Sequence, residues 1–249
     1  GRTCDMAALM ELAETRELTI IEDAAQALGA KFRGRCAGTF GLAGMISLYP
    51  AKVLGCLGDG GLVMTNDDAM AERLRLLRDH GRGEDGEVVA WGVNSRLDTV
   101  QAAVLLAKFR HYPEEILRRR EIATRYREGL AGLDDMTLPP GPDDGDHFDI
   151  YQNYEVEASR REKLRQHLTD HGVGTIIQWG GKPVHQLKGL GFDDVLGAGI
   201  ALTTPPFSII FLKISSLTSP LLINSVTSNI SIGFLKSGLS VPYFSIEFL

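Results

Sequence analysis

The segment Ser47-Leu48-Tyr49-Pro50-Ala51-Lys52-Val53-Leu54-Gly55-Cys56-Leu57-Gly58-Asp59-Gly60-Gly61 sets one lysine between a short apolar run and a cluster of glycines. The residues around Ser47 read as a buried strand, and the glycines permit positive φ and close backbone approach to a flat ligand. An amine held there can form a Schiff base with a carbonyl compound. A surface lysine in an ordinary loop would show the same window, so a second segment has to decide between the two.

That segment is Leu18-Thr19-Ile20-Ile21-Glu22-Asp23-Ala24-Ala25-Gln26-Ala27, an apolar strand ending in acids and then small residues. It places a carboxylate at the C-terminal edge of a strand, where open α/β sheets bind their ligands. Asp23 and Gln26 could face one pocket with Ser47 and Lys52. Asp23 could equally accept backbone N–H groups of a following turn.

Working outward, strands and helices alternate, the pattern of a largely parallel sheet covered on both faces. Helices are expected over 5–14, 67–80, 97–109 and 114–130, and strands over 18–22, 45–48 and 62–65. Asp67 and Asp68 suit the positive end of the second helix, Arg78 and His80 its negative end, and Gly81 its termination. Pro113 opens the fourth helix, which reads as a strut between domains. The Pro139-Pro140-Gly141-Pro142 stretch marks a linker or rigid turn. Beyond it, 150–157 and 174–178 read as strands, and Ser159-Arg160-Arg161-Glu162 as a capping box opening a helix that Gly172 closes. The expected division is 1–133, 134–202 and a tail, 203–249.

The chain has 249 residues, 44% of them hydrophobic and 23% charged, with a net charge of -6. That balance suits a substantial core and gives no support to nucleic-acid binding. Arg73, Arg75 and Arg78 lie beside acids and read as a solvated face. The cysteines Cys4, Cys36 and Cys56 have no metal-ligand spacing and leave an odd number for disulfides, so a reducing cytoplasm is the expected compartment, with no metal. Gly1 to Asp5 lead into an amphipathic helix, with no signal peptide pattern.

The stretches IEDAAQALGA, SLYPAKVLGCLGDGG, ERLRLLRDHG, GVNSRLDTVQAAVL and QWGGKPVHQLKGLGF, in this order and spacing, resemble the DegT/DnrJ/EryC1/StrS family of nucleotide-sugar aminotransferases. The resemblance runs from about Asp5 to about Phe192. It implies a type I, aspartate-aminotransferase-like α/β fold with a mostly parallel sheet, a smaller α+β domain, and pyridoxal 5'-phosphate as cofactor. It also implies that Asp23 meets the pyridine nitrogen, Gln26 the phenolic oxygen and Ser47 the phosphate, and that Lys52 forms the aldimine and moves the proton. Asn94, in the GxNxRxD stretch, would reach the phosphate in a neighbouring subunit, which implies a homodimer with a shared site. The donor would be an amino acid, usually glutamate, and the acceptor a keto group on a nucleotide-linked sugar.

Tyr151, Trp179, Lys182 and His185 are candidates for the substrate side, because a cation and flat rings suit a diphosphate and a base. Ordinary packing is the competing expectation for the two aromatic residues, and a satisfied structural histidine for His185. Family members carry a long N-terminal portion ahead of the position of Gly1, including an aromatic ring that stacks on the cofactor. From Thr203 the chain is nearly uncharged. Polar residues interrupt every apolar run before it reaches membrane-spanning length. A read-through, frame-shifted or mis-spliced extension is the expectation for this tail, ahead of aggregation-prone β structure. Two other functional readings stand beside the aminotransferase. One is a cofactor-dependent sugar dehydratase, which Lys52 argues against because those relatives carry histidine there. The other is an inactive fragment or non-catalytic regulator of the same fold.

Overall fold

A computed structural model of the chain describes residues 1–142 and 144–177, Gly181 and Gly189, together with the strands at 208–212 and 245–248. In chain order the elements are α1 (Met6–Thr15), β1 (Ile21–Asp23), β2 (Lys31–Phe32), β3 (Arg35–Cys36), β4 (Ala43–Ser47), β5 (Gly61–Thr65), α2 (Asp68–Arg78), α3 (Thr99–Phe109) and α4 (Tyr112–Leu130). There follow β6 (Met136–Thr137), β7 (His147–Phe148), β8 (Tyr154–Ala158), α5 (Arg161–Asp170), β9 (Thr175–Ile176), β10 (Ser208–Leu212) and β11 (Ser245–Phe248). The chain divides into two compact units. One holds Gly1–Arg120, Pro142–Gln152 and Ser216–Leu249, the other Glu121–Gly141 and Asn153–Ser215. The division falls inside α4.

In the first unit the main sheet has the order β1-β4-β5-β11. β1 and β4 are parallel, with Ile21 opposite Ala43 and Asp23 opposite Met45. β4 and β5 are antiparallel, as are β5 and β11. The expected parallel character is therefore met at β1–β4 alone among these pairings. The reason is the connection: parallel neighbours need a crossover, usually a helix, whereas β4 returns to β5 through a glycine-rich loop with no helix in it. α1 and α2 start where their acids predict. Asp5 accepts from the Ala8 N–H at 3.1 Å, and Asp67 accepts from the Met70 N–H at 2.7 Å, both satisfying orphan donors of a first turn. Gly81, at φ 72°, donates to the Leu76 carbonyl and closes α2.

The Glu22 carboxylate fastens β1 to the turn that feeds β4. It accepts from the Gly38 N–H at 2.7 Å and the Gly41 N–H at 2.9 Å, and also from the Phe40 N–H. Gly38 sits at φ +82°, and a Cβ on Gly44 would lie 2.1 Å from the Gly38 carbonyl oxygen, so turn and strand touch backbone to backbone. Against this layer packs a core that includes Ala24, Ile46, Leu48, Leu62, Leu105 and Tyr112. The Tyr112 hydroxyl donates to the Leu28 carbonyl, and burial pushes its pKa up. At the other extreme, Trp91 is 99% exposed in the loop after α2, next to exposed Val88, Val89 and Val93. On α2 itself Arg73 is exposed, whereas Arg75 and Arg78 are half-buried.

The second unit is built on the sheet β6-β8-β10-β9. Tyr154 and Val156 of β8 are fully buried, and the Tyr154 ring stacks on Tyr126 with centroids 4.9 Å apart. The helix expected after Ser159 forms, but its first turn is capped differently. Its N-cap is Arg160 and no side chain closes it. The Ser159 N–H instead donates to the Asp135 carbonyl at the sheet edge, and Arg160 pairs with the Asp135 carboxylate, so both residues serve the strand side of the junction. Among the described residues no helix is long and apolar enough to cross a membrane, and no group of three His, Cys, Asp or Glu side chains could hold a metal. The cysteines there are free thiols.

Removing the Glu22 carboxylate leaves three turn N–H groups without their charged acceptor. Hydrogen bonds to charged groups contribute ~1.5–3 kcal/mol each, so Glu22→Ala accelerates exchange of the Gly38 and Gly41 amides by about ten-fold or more. Amide exchange read by NMR or mass spectrometry checks this, with the exposed Glu11→Ala as the silent control.

Candidate functional site

Lys52 lies in a turn secured along its length. The Lys52 N–H donates to the Tyr49 carbonyl at 2.8 Å, the Cys56 N–H to the Leu48 carbonyl at 2.7 Å, and the Leu48 N–H to the Gly60 carbonyl at 2.8 Å. The chain folds back so closely that a Cβ on Gly55 would stand 2.6 Å from the Tyr49 carbonyl oxygen and 2.7 Å from that of Pro50, which only glycine allows. From α3, Lys108 Nζ donates to the Gly55 carbonyl at 2.5 Å, and Gln101 Oε1 accepts from the Leu57 N–H at 2.8 Å. Burial drives the Lys108 pKa down and the thiol of neighbouring Cys56 up, which favours the neutral thiol of that buried cysteine.

The amine of Lys52 is also held below the ordinary lysine range. Partial burial disfavours the ammonium, and the negative charge of Asp23 partly offsets this. Asp23 ends β1 and Ser47 ends β4, so the parallel pairing puts both at the C-terminal edge of adjacent strands. One oxygen of Asp23, Oδ1, accepts from the Ala25 N–H at 3.1 Å, so the turn role foreseen as the alternative is present together with the electrostatic reach to Lys52. Gln26, Ser47 and Lys52 line a single recess with Val53, Tyr112 and Gln152. The Ser47 hydroxyl accepts from the Tyr49 N–H at 3.3 Å. The recess is small, with room for about one water molecule, so these residues make one wall of a site and not an enclosure.

The other expected residues lie elsewhere. Asn94 is exposed between α2 and α3, bridged to Asp79, and does not line the recess. Tyr151 is 4% exposed and packs in the interior, at φ 50°. Trp179, Lys182 and His185 lie outside the described residues. Two residues that the sequence did not single out belong with Lys52 by position. Gln152 bonds to the backbone on both sides of it, and Arg119 bonds to the carbonyls of Tyr151 and Gln152. Neither stands in a motif, and both act through space on residues far away in the chain.

A depressed amine beside a carboxylate, with a hydroxyl and a carboxamide on the same wall, is a donor set suited to a carbonyl-bearing, anionic, flat ligand. The Ser47 hydroxyl suits its anion, Lys52 its carbonyl and Asp23 a basic ring atom. The residues present fit pyridoxal phosphate on that chemistry.

The model of the DegT/DnrJ/EryC1/StrS aminotransferase family matches residues 1–195. The chain is 44% identical over 185 residues to dTDP-3-amino-3,4,6-trideoxy-alpha-D-glucose transaminase of Streptomyces venezuelae, covering 74% of this chain and 48% of that relative. It is 38% identical over 180 residues to a pleiotropic regulatory protein of Geobacillus stearothermophilus, covering 72% of this chain and 48% of that protein. Among solved structures it resembles DesV of S. venezuelae in complex with a ketimine intermediate, with a TM-score of 0.76 and 38% identity over 84% of this chain and 56% of that one. The chain thus spans about half the length of the curated relatives it matches. With the family model covering most of its residues and relatives of this similarity, the chain belongs to the DegT/DnrJ/EryC1/StrS aminotransferase family.

Proposed function

We propose that this chain carries the cofactor-binding half of a nucleotide-sugar aminotransferase, with Lys52, Asp23, Gln26 and Ser47 holding pyridoxal 5'-phosphate. The observation that carries the reading is the gathering of Gln26, Ser47 and Lys52 on one wall, with Asp23 close enough to act on the Lys52 charge. When bound, the cofactor supplies an electron sink for the pair left behind as a Cα proton departs. Asp23 would favour protonation of the ring nitrogen by its negative charge. Gln26 would hydrogen-bond the ring's phenolic oxygen, and the Ser47 hydroxyl would hold the phosphate. Lys52 would hold the cofactor's carbonyl carbon through its amine and would serve as the base that holds and moves a substrate proton, for which an amine below the usual lysine range is suited. The amino donor is an amino acid, in our reading glutamate, and the acceptor a keto group on a nucleotide-linked sugar. Asn94 completes the site in a second copy of the chain, so the working unit is a homodimer. The likeness to the pleiotropic regulatory protein of Geobacillus stearothermophilus supports a second reading, a regulator of the same fold, which we take to be non-catalytic.

Incubating the full chain with pyridoxal phosphate and fixing with borohydride separates the two readings. The expected result is a phosphopyridoxyl label on Lys52, abolished in Lys52→Ala and in Lys52→Arg, and amine transfer from glutamate by the wild type. A wild-type chain that takes no label at Lys52 belongs to the second reading.

The electrostatics give a signed outcome. Burial lowers the Lys52 pKa and Asp23 raises it, so Asp23→Asn removes the opposing charge and lowers the midpoint further. Competitive acetylation followed across pH by peptide mass spectrometry reads this. The wild-type midpoint falls below the ordinary value of about 10.4, and that of Asp23→Asn lower again. The same substitution weakens retention of pyridoxal phosphate.

A further inference from the structure

Gln152 reaches the Lys52 turn from the segment that follows β7. Its Oε1 accepts from the Val53 N–H at 3.0 Å, and its Nε2 donates to the Ala51 carbonyl at 2.9 Å. One carboxamide thus bridges the two backbone groups that flank Lys52. A carboxamide is the side-chain group that offers an acceptor and a donor side by side in this geometry. Glutamate would turn a carboxylate oxygen toward the Ala51 carbonyl, and leucine would leave both backbone groups unbonded.

The segment that presents Gln152 is itself held. Tyr151 takes a left-handed conformation, φ 50°, which costs free energy in a residue with a Cβ and persists only where the surroundings impose it. Arg119 Nη1 donates to the Tyr151 carbonyl at 3.1 Å and to the Gln152 carbonyl at 3.3 Å, while its Nε is paired with Glu115 at 3.0 Å. Arg119 is 9% exposed, so these bonds are shielded from water. A buried guanidinium on α4 therefore fixes a strained turn, and that turn aims a carboxamide at the backbone on either side of the lysine.

We propose that Gln152 is a positioning residue that clamps the Lys52 turn, so that the amine is presented in one place and shielded from water. This rests on the reading of Lys52 as the anchoring lysine. It adds that the lysine's presentation depends on a residue about a hundred positions further along the chain.

The test uses the full-length chain as wild type, Gln152→Leu and Gln152→Glu. Exchange of the Val53 amide is expected to speed up about ten-fold in Gln152→Leu, which lacks the acceptor, and to stay near wild type in Gln152→Glu, which keeps it. Exchange at Ile46 and Met64 in the adjoining sheet is expected to be unchanged in both. The Lys52 acetylation midpoint rises toward that of an ordinary lysine in Gln152→Leu, because a released turn exposes the amine. The pyridoxal phosphate concentration needed for half-maximal borohydride-fixed labelling of Lys52 rises about ten-fold in both variants. Unchanged Val53 exchange in Gln152→Leu overturns the clamp, and so do unchanged labelling and an unchanged midpoint alongside faster exchange. Should Gln152→Leu fail to fold, Gln152→Glu decides by labelling alone, and wild-type labelling there overturns the proposal. If the wild type itself takes no label, the cofactor reading fails, while Val53 exchange and the acetylation midpoint still decide the clamp.

Discussion

Everything at the site depends on two short strands running side by side in the same direction. β1 and β4 share only three paired residues on the β1 side, yet that register puts the carboxylate ending one strand and the hydroxyl ending the other at a common edge. So brief a pairing needs support from outside the ladder. Glu22 provides it by accepting three N–H groups of the turn before β4. A charged acceptor with several donors is among the stronger local ties available to a half-buried loop. The alternation along β1 divides the tasks: Glu22 supports the sheet while Asp23, next in sequence, is left to act beyond its edge.

Much of this was readable from the chain because it depends on local chemistry. Asp5 and Asp67 cap helices as acids ahead of apolar periodicity should. Lys52 follows a strand and precedes glycines, and of these Gly55 has no room for a side chain. Asp23 and Ser47 could be grouped because they end β1 and β4, and Gln26 and Lys52 because they come soon after those same strands, so local order along the chain already places them near the sheet's edge. The direction of β5 was not readable in this way. A parallel and an antiparallel strand look alike in composition, and only the connecting loop decides. At Ser159 the local capping signal was overridden by a bond to the Asp135 carbonyl and by the Arg160–Asp135 pair.

Gln152 and Arg119 were beyond sequence reading for a different reason. Their partners lie far along the chain, and nothing in the residues around them marks the meeting. A glutamine in a polar stretch is unremarkable, and an arginine in a run of three reads as solvated helix surface. The side chains that hold the lysine in place are recognised only once the chain is folded. Those that would touch the cofactor carry their identity in motifs.

The attachment of α3 to the lysine turn has a thermal consequence. Lys108 and Gln101 tie Gly55 and Leu57 to that helix at 2.5 and 2.8 Å, so this stretch does not belong to the fraying periphery where surface connections open first. Opening it at Gly55 and Leu57 requires breaking its bonds to α3 as well as those within the turn, which raises the cost of local opening there. The primary amine of Lys52 is therefore carried on a turn tethered from two directions, by α3 on its glycine side and by Gln152 at its centre.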